Sequence, residues 1–155
     1  KTTTTPSGEN IHGNLRPKKN LFEIVAAHDI PYAATASIGN LPDFINKIEK
    51  ASKIKGTAYI HVVAPCPIGW GIPVNETIEI ARKMIDCGLW YLAEYENGQF
   101  ALNKNPRDFS SIKDYLLSQG RFKHLDDADI EILAAQRDAK WAAIQKNWNT
   151  TKEEL

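Results

Sequence analysis

The apolar positions change period several times along the chain, and each change marks an element. Leu21, Ile24, Val25 and His28 fall on one face at helical spacing. Asn20 and Glu23 stand at capping-box distance, with asparagine in place of the usual serine or threonine, and Asp29 and Pro31 end the helix. Residues 32–37 are a short apolar run that predicts a buried strand, with Ile38-Gly39-Asn40 as the turn after it. A helix follows over 41–52, with Leu41, Phe44, Ile45 and Ile48 on one stripe. Lys53, Lys55 and Gly56 close it. The run 57–64 is apolar at nearly every position, the pattern of a strand covered on both faces of a parallel sheet.

Pro65-Cys66-Pro67 stops that strand abruptly. Asn75 then caps a predicted helix over 76–87, with Ile78, Ala81, Met84 and Ile85 inward and Gly88 at its end. Residues 90–95 and 99–102 read as two strands around Glu96-Asn97-Gly98, since Asn-Gly between apolar runs is a strong hairpin signal. From Asn103 onward the pattern is helical: one helix over 109–119 and a long one over 128–148, with Asp126 or Asp127 near its cap. Ile130, Ala134, Trp141, Ile144 and Trp148 trace a stripe on the long helix. That stripe packs on its own domain or marks a partner surface, and both readings stay open. Residues 1–19, with the threonine run Thr2–Thr5, read as an irregular lead-in. Its glycines make neither a dinucleotide fingerprint nor a P-loop.

Helices between strands imply an α/β fold with a parallel sheet. Two parallel strands make too thin a sheet to stand alone, which points to part of a larger doubly wound domain. The expected division is an α/β part over residues 1–102 and a helical extension over 103–155. Lys1 in place of an initiating methionine fits either an artificial or processed start or a missing N-terminal segment, and the element pattern favours the second.

Composition narrows the classes. A formal net charge of zero leaves no electrostatic footprint for nucleic acid, and no basic run suggests a membrane surface. The longest apolar stretches, 32–36 and 58–64, are far shorter than a membrane span, and no secretory leader is visible. The cytoplasm is therefore the expected compartment. Two cysteines, Cys66 and Cys87, make neither a disulfide framework nor a complete tetrahedral thiolate site.

Ligands in α/β sheets gather beyond the carboxyl ends of the strands, which here means 37–40 and 65–71. The prolines flanking Cys66 lack backbone N–H groups, and each pushes the residue before it toward extended geometry. The thiol is thus held in a fixed direction at the mouth of the sheet. Three readings compete: an inert thiol, a nucleophile, or one ligand of a cluster completed elsewhere. A nucleophile needs a basic neighbour, and no histidine stands at a recognisable spacing. Cysteine before proline also occurs at the last cysteine of bacterial ferredoxin runs, a weak signal by itself. His28 reads as a helix-end residue, and His61 as a core histidine paired with a polar neighbour. Cys87, in the last turn of an amphipathic helix, is explained by packing.

Several segments together resemble the beta subunit of pyruvate:ferredoxin oxidoreductase, or pyruvate synthase. They are Lys18-Lys19-Asn20, Ile24–Ala27 with His28, Ile30-Pro31-Tyr32, and Ala34-Thr35-Ala36-Ser37-Ile38. Gly56–Val62, Ala64-Pro65-Cys66-Pro67-Ile68-Gly69-Trp70, Thr3-Thr4-Thr5-Pro6 with Gly8, and Gly120-Arg121-Phe122-Lys123-His124-Leu125 complete the match. The resemblance implies the C-terminal half of a pyrophosphate-binding, thiamine-diphosphate fold. It implies oxidative decarboxylation of pyruvate, or another 2-oxoacid, with coenzyme A. Electrons then pass from thiamine diphosphate through [4Fe-4S] clusters to ferredoxin. It also implies Mg2+, partner subunits of alpha, gamma and delta type, and an N-terminal half carrying three cluster cysteines and the Gly-Asp-Gly magnesium motif. The fourth cluster cysteine of that pattern falls on Cys66. The resemblance assigns no thiamine-diphosphate contact to Thr3–Thr5. Oxalate or a branched-chain oxoacid is an alternative substrate, and a non-catalytic α/β interaction module an alternative function.

Overall fold

The computed structural model describes residues 18–153, with side chains up to 147. Asn20 caps α1 (Leu21–Ala26) by accepting from the Glu23 N–H, and the helix leads into β1 (Tyr32–Ser37). Asn40 caps α2 (Leu41–Lys53) through the Asp43 N–H, and β2 (Ala58–Val63) follows. The two strands pair in parallel from Tyr32↔Ala58 to Ser37↔Val63. A four-residue helix α3 (Pro67–Trp70) and a 3-10 turn (Val74–Glu76) precede α4 (Thr77–Asp86). The hairpin β3 (Ala93–Glu96) and β4 (Gln99–Leu102) comes next. The chain closes with α5 (Ile112–Leu117), a 3-10 turn (Gly120–Phe122) and α6 (Asp127–Glu153).

The sheet is mixed, not simply parallel. Its order is β2-β1-β3-β4, with the hairpin antiparallel to β1. The Asn-Gly turn takes positive φ at both central residues, 50° at Asn97 and 84° at Gly98, as a tight hairpin requires. The hairpin therefore thickens the two-stranded sheet expected from the sequence into four strands.

Two cores hold the molecule. Phe22, Ala33, Tyr91, Ala93, Phe100 and Leu102 pack with Trp141 and Ile144 of α6 against one sheet face. Across the sheet, α2 sends the buried Lys47 to the Thr35 carbonyl at 2.8 Å and to Asp43 at 2.8 Å. A second core joins Ile72, Ile80, Cys87, Ile112, Tyr115, Leu116, Phe122 and Ile130.

Several expected faces turn out differently. In α1 the buried side chain is Phe22, while Leu21 and Ile24 are exposed, because a six-residue helix has room for one anchor. In α2 the stripe Leu41, Ile45 and Ile48 is about half exposed, and the inward position belongs to Lys47, neutralised by Asp43. Strand β2 is not covered on both faces: among the described residues it is the sheet edge, with Ala58 and Val62 exposed. In α4 Ile80 points inward and Ile78 outward, because the helix begins at Thr77 after the 3-10 turn, with no cap from Asn75. Ser111 caps α5 through the Asp114 N–H, so this helix starts later than its apolar pattern suggests. Trp141 is core, not partner surface: it is 4% exposed and its Nε1 donates to the Gly88 carbonyl at 2.7 Å. The side chain of Trp148, and Thr3–Thr5, lie outside the described residues.

Candidate functional site at the carboxyl edge of the parallel strands

The chain leaves β2 through Ala64 and the buried Pro65, then turns at the exposed, unpaired Cys66. Cys66 is the N-cap of α3, with φ −101° and ψ 109°, the extended geometry that a following proline favours. Pro67 occupies the first helical position, where its missing N–H costs nothing. The Cys66 carbonyl accepts from the Trp70 N–H at 2.8 Å, and the Pro67 carbonyl from the Ile72 N–H at 3.0 Å. Gly71 ends the turn in the left-handed region at φ 64°. The Pro-Cys-Pro segment is therefore a closed, hydrogen-bonded cap on β2, anchored below by Ile72 in the second core. A Cβ at Gly69 would lie 3.4 Å from the Cys66 Sγ, so glycine leaves the thiol's flank clear.

The turn does not stand alone. Its Gly71 carbonyl accepts from the Gly120 N–H at 3.1 Å, and a Cβ at Gly71 would come within 3.0 Å of Gly120 Cα. Arg121 lays its guanidinium over the Trp70 ring at 3.6 Å and the Phe122 ring at 4.3 Å. Its Nε donates to Gln119 Oε1 at 2.9 Å, and Gln119 in turn donates to the Tyr115 carbonyl. Sequence reasoning noticed Gly120-Arg121-Phe122 only as a matching run, with no role. Nothing in its spacing tells that it docks on a turn fifty residues earlier.

The neighbouring strand ends in a second concavity. The Ser37 Oγ accepts from the Gly39 N–H at 3.0 Å. Gly39 sits so close to α4 that a Cβ there would meet the Ala81 and Arg82 backbone at 2.5 Å. A cleft of about 450 Å3 opens beside it, lined by Asn40, Pro42, Ile78, Arg82, Asp86 and Lys104 among others. Its cations are already paired, Arg82 with Glu79 at 2.8 Å and Lys104 with Asp86 at 2.6 Å.

The other residues singled out in the sequence have structural settings. His28 bonds its Nδ1 to the Ile24 carbonyl at 2.9 Å, as a helix-end residue does. His61 lies edge-on to the Trp90 ring at 5.0 Å and beside Tyr59 at 6.2 Å, so its defining neighbours are aromatic. Burial, then Lys140 and Lys18, hold its pKa below the usual histidine value. Cys87 is fully buried, and burial pushes its thiol up to about 11, the behaviour of a packing residue. Among the described residues no group of three or more His, Cys, Asp or Glu could hold a metal ion. One exposed thiolate fits one corner of a cluster and no more. No helix among the described residues is long and apolar enough to cross a membrane.

No protein-family model matches the chain. Curated relatives do. Pyruvate synthase subunit PorB of Methanocaldococcus jannaschii is 45% identical over 139 residues, covering 90% of this chain and 47% of the relative. Ketoisovalerate oxidoreductase subunit VorB of Pyrococcus abyssi is 44% identical over 147 residues, covering 94% of this chain and 47% of the relative. Pyruvate synthase subunit PorB of Pyrococcus furiosus is 43% identical over 163 residues, covering 92% and 49%. The chain thus spans about half the length of the curated relatives it matches. Identity at this level along nearly all of its residues makes the chain a homologue of about half of these PorB and VorB subunits of 2-oxoacid oxidoreductases.

Proposed function

We propose that the chain is the C-terminal part of a pyruvate:ferredoxin oxidoreductase beta subunit, and that Cys66 is one of four thiolates around a [4Fe-4S] cluster. The supporting observation is the exposed thiol of a closed turn at the carboxyl edge of the sheet, in a chain related to pyruvate synthase subunits. The overall reaction converts pyruvate, coenzyme A and two oxidised ferredoxins into acetyl-CoA, CO2, two reduced ferredoxins and a proton. A bound cluster supplies one-electron steps at low potential, and thiamine diphosphate with Mg2+ supplies the decarboxylation chemistry. No residue described here is assigned to thiamine diphosphate or to Mg2+; in this reading they belong to the rest of the subunit.

This chain's residues hold and shield the thiolate. The two prolines and the Trp70-to-Cys66 hydrogen bond fix its direction. Ile68, 96% exposed on the same turn, offers an apolar side chain to a second surface that closes over the turn and excludes water. That surface is the N-terminal half of the same subunit, joined by the alpha-, gamma- and delta-type subunits. The half-exposed α2 stripe and the open β2 edge support this assembly, since both leave apolar or unpaired groups for a cover.

A branched-chain oxoacid is the second reading of the substrate. The ketoisovalerate oxidoreductase subunit matches this chain about as well as the pyruvate synthase subunits do. The test is iron and sulfide content, with the visible spectrum, of the anaerobically purified complex carrying Cys66→Ser. Loss of one cluster with failure of 2-oxoacid-dependent ferredoxin reduction is expected. Unchanged iron and activity would leave the chain a non-catalytic module. Turnover with pyruvate against 2-oxoisovalerate in the unsubstituted complex decides the substrate.

A further inference from the structure

The Gly120-Arg121-Phe122 turn touches the Cys66 turn at two points. One is backbone: the Gly120 N–H meets the Gly71 carbonyl so closely that each glycine excludes a side chain from the other. The second is the Arg121 guanidinium stacked 3.6 Å over Trp70, the residue whose N–H holds the Cys66 carbonyl. An arginine in a stack of this kind is both a planar clamp and a charge. The groups facing this one are neutral: the Gln119 amide, the rings of Trp70 and Phe122, and the Tyr115 phenol. The stack seats this half-buried cation on Trp70, whose own N–H is bonded to the Cys66 carbonyl.

We propose that Arg121 is a positioning residue for the Cys66 ligand: its stack on Trp70 fixes the Pro-Cys-Pro turn, and its charge favours the reduced state of the cluster held there. The proposal rests on the cluster reading above. Reduction adds negative charge to an already anionic cluster, and a nearby cation in a poorly solvated setting stabilises that product. The clamp and the charge are separable. Glutamine keeps a planar amide over the indole and loses the charge, whereas lysine keeps the charge and loses the planar fork.

The experiment uses the assembled, cluster-bearing oxidoreductase with Arg121→Gln, Arg121→Lys and, in parallel, Cys66→Ser. Electron paramagnetic resonance during a redox titration reads the cluster potentials, and deuterium uptake of the 64–72 segment reads the turn. In Arg121→Gln one cluster is expected to become about tenfold harder to reduce, a shift of about 59 mV for one electron. Arg121→Lys should keep the original potential but raise deuterium uptake across 64–72 several-fold. An unchanged potential in Arg121→Gln, or unchanged uptake in Arg121→Lys, overturns the proposal. Should Arg121→Gln fail to assemble, the uptake of Arg121→Lys decides alone. Loss of a cluster in Cys66→Ser together with silent Arg121 variants rejects only the role of Arg121. Unchanged iron in Cys66→Ser rejects the cluster reading beneath it.

Discussion

Strands β1 and β2 are the same length, run parallel and pair in register through all six residues, yet they live in different surroundings. Every residue of β1 is buried, whereas no residue of β2 is: Ala58 and Val62 are exposed and the other four half-buried. In sequence β2 is the more apolar of the two and reads as the better core strand. The difference lies in what each has beside it. The hairpin β3-β4 pairs with the free side of β1, and α1, α6 and α2 cover its faces; β2 has no strand beyond it among the described residues. The apolar character of β2 is thus a requirement that this part of the molecule leaves unmet. Among the described residues burial is complete on the β1 side and partial on the β2 side.

The sharpest way to break that comparison is to put one charge on each strand. Ala33→Asp places a carboxylate among Phe22, Tyr91 and Ala93 and should cost about 3–5 kcal/mol, enough to unfold a marginal domain. Val62→Asp, at an exposed site, should cost less than about 1 kcal/mol in the chain by itself. Urea denaturation of both variants measures the gap, and equal midpoints would refute it.

The ionic network across β1 and β3 gives the next largest effect. Glu94 accepts from Tyr32 at 2.5 Å and Asn103 at 2.6 Å, and pairs with Lys50 at 3.0 Å. Burial alone would push its carboxyl up, but these partners outweigh it and hold the pKa below the usual glutamate value. The folded pKa is depressed, so the stabilisation is present above the unfolded value near 4.5 and is lost as pH falls through the folded one. Glu94→Gln should cost about 2–3 kcal/mol at pH 7 and flatten this acid limb, as melting temperatures between pH 3 and 7 would reveal.

The two cysteines sharpen the same contrast chemically. Cys66, beyond β2, is exposed; Cys87, in the second core, is buried with its thiol pushed up to about 11. At pH 8 alkylation of Cys87 should run about a hundredfold or more slower than that of a free cysteine, and mass spectrometry should show one fast label on Cys66. The smallest effect belongs to the α2 stripe. Ile45→Ser, at a site 52% exposed, should change the stability of the chain by less than about 0.5 kcal/mol while weakening assembly with the partner subunits proposed above. Normal assembly would remove α2 from the interface.

The same contrast explains what the sequence made legible. Local signals held: the Asn20 and Asn40 caps, the Asn97-Gly98 turn, the stop at Gly88, and the extended Cys66 between prolines. Apolar stripes located helices well and their inward faces poorly. Leu41, Ile45 and Ile48 follow helical spacing perfectly, but periodicity carries no information about which apolar face finds its cover within the same chain. Lys47 was invisible as a core residue because its burial depends on Asp43 one turn earlier and on a carbonyl of β1. At the candidate site Cys66 was legible from its flanking prolines. Arg121 was not, since a stack between residues fifty positions apart leaves no mark in either local pattern.

One core joins the two ends of the described chain, Phe22 near its start and Trp141 with Ile144 near its finish. On the ribosome Phe22 emerges roughly 120 residues before Ile144, a wait of roughly 6–24 s at about 5–20 residues per second. During that interval Phe22 and Ala33, and later Tyr91, lack the cover that α6 will supply. Until α6 is made that face of the core stays open, and Trp141, donating to the Gly88 carbonyl, is the latch that closes it.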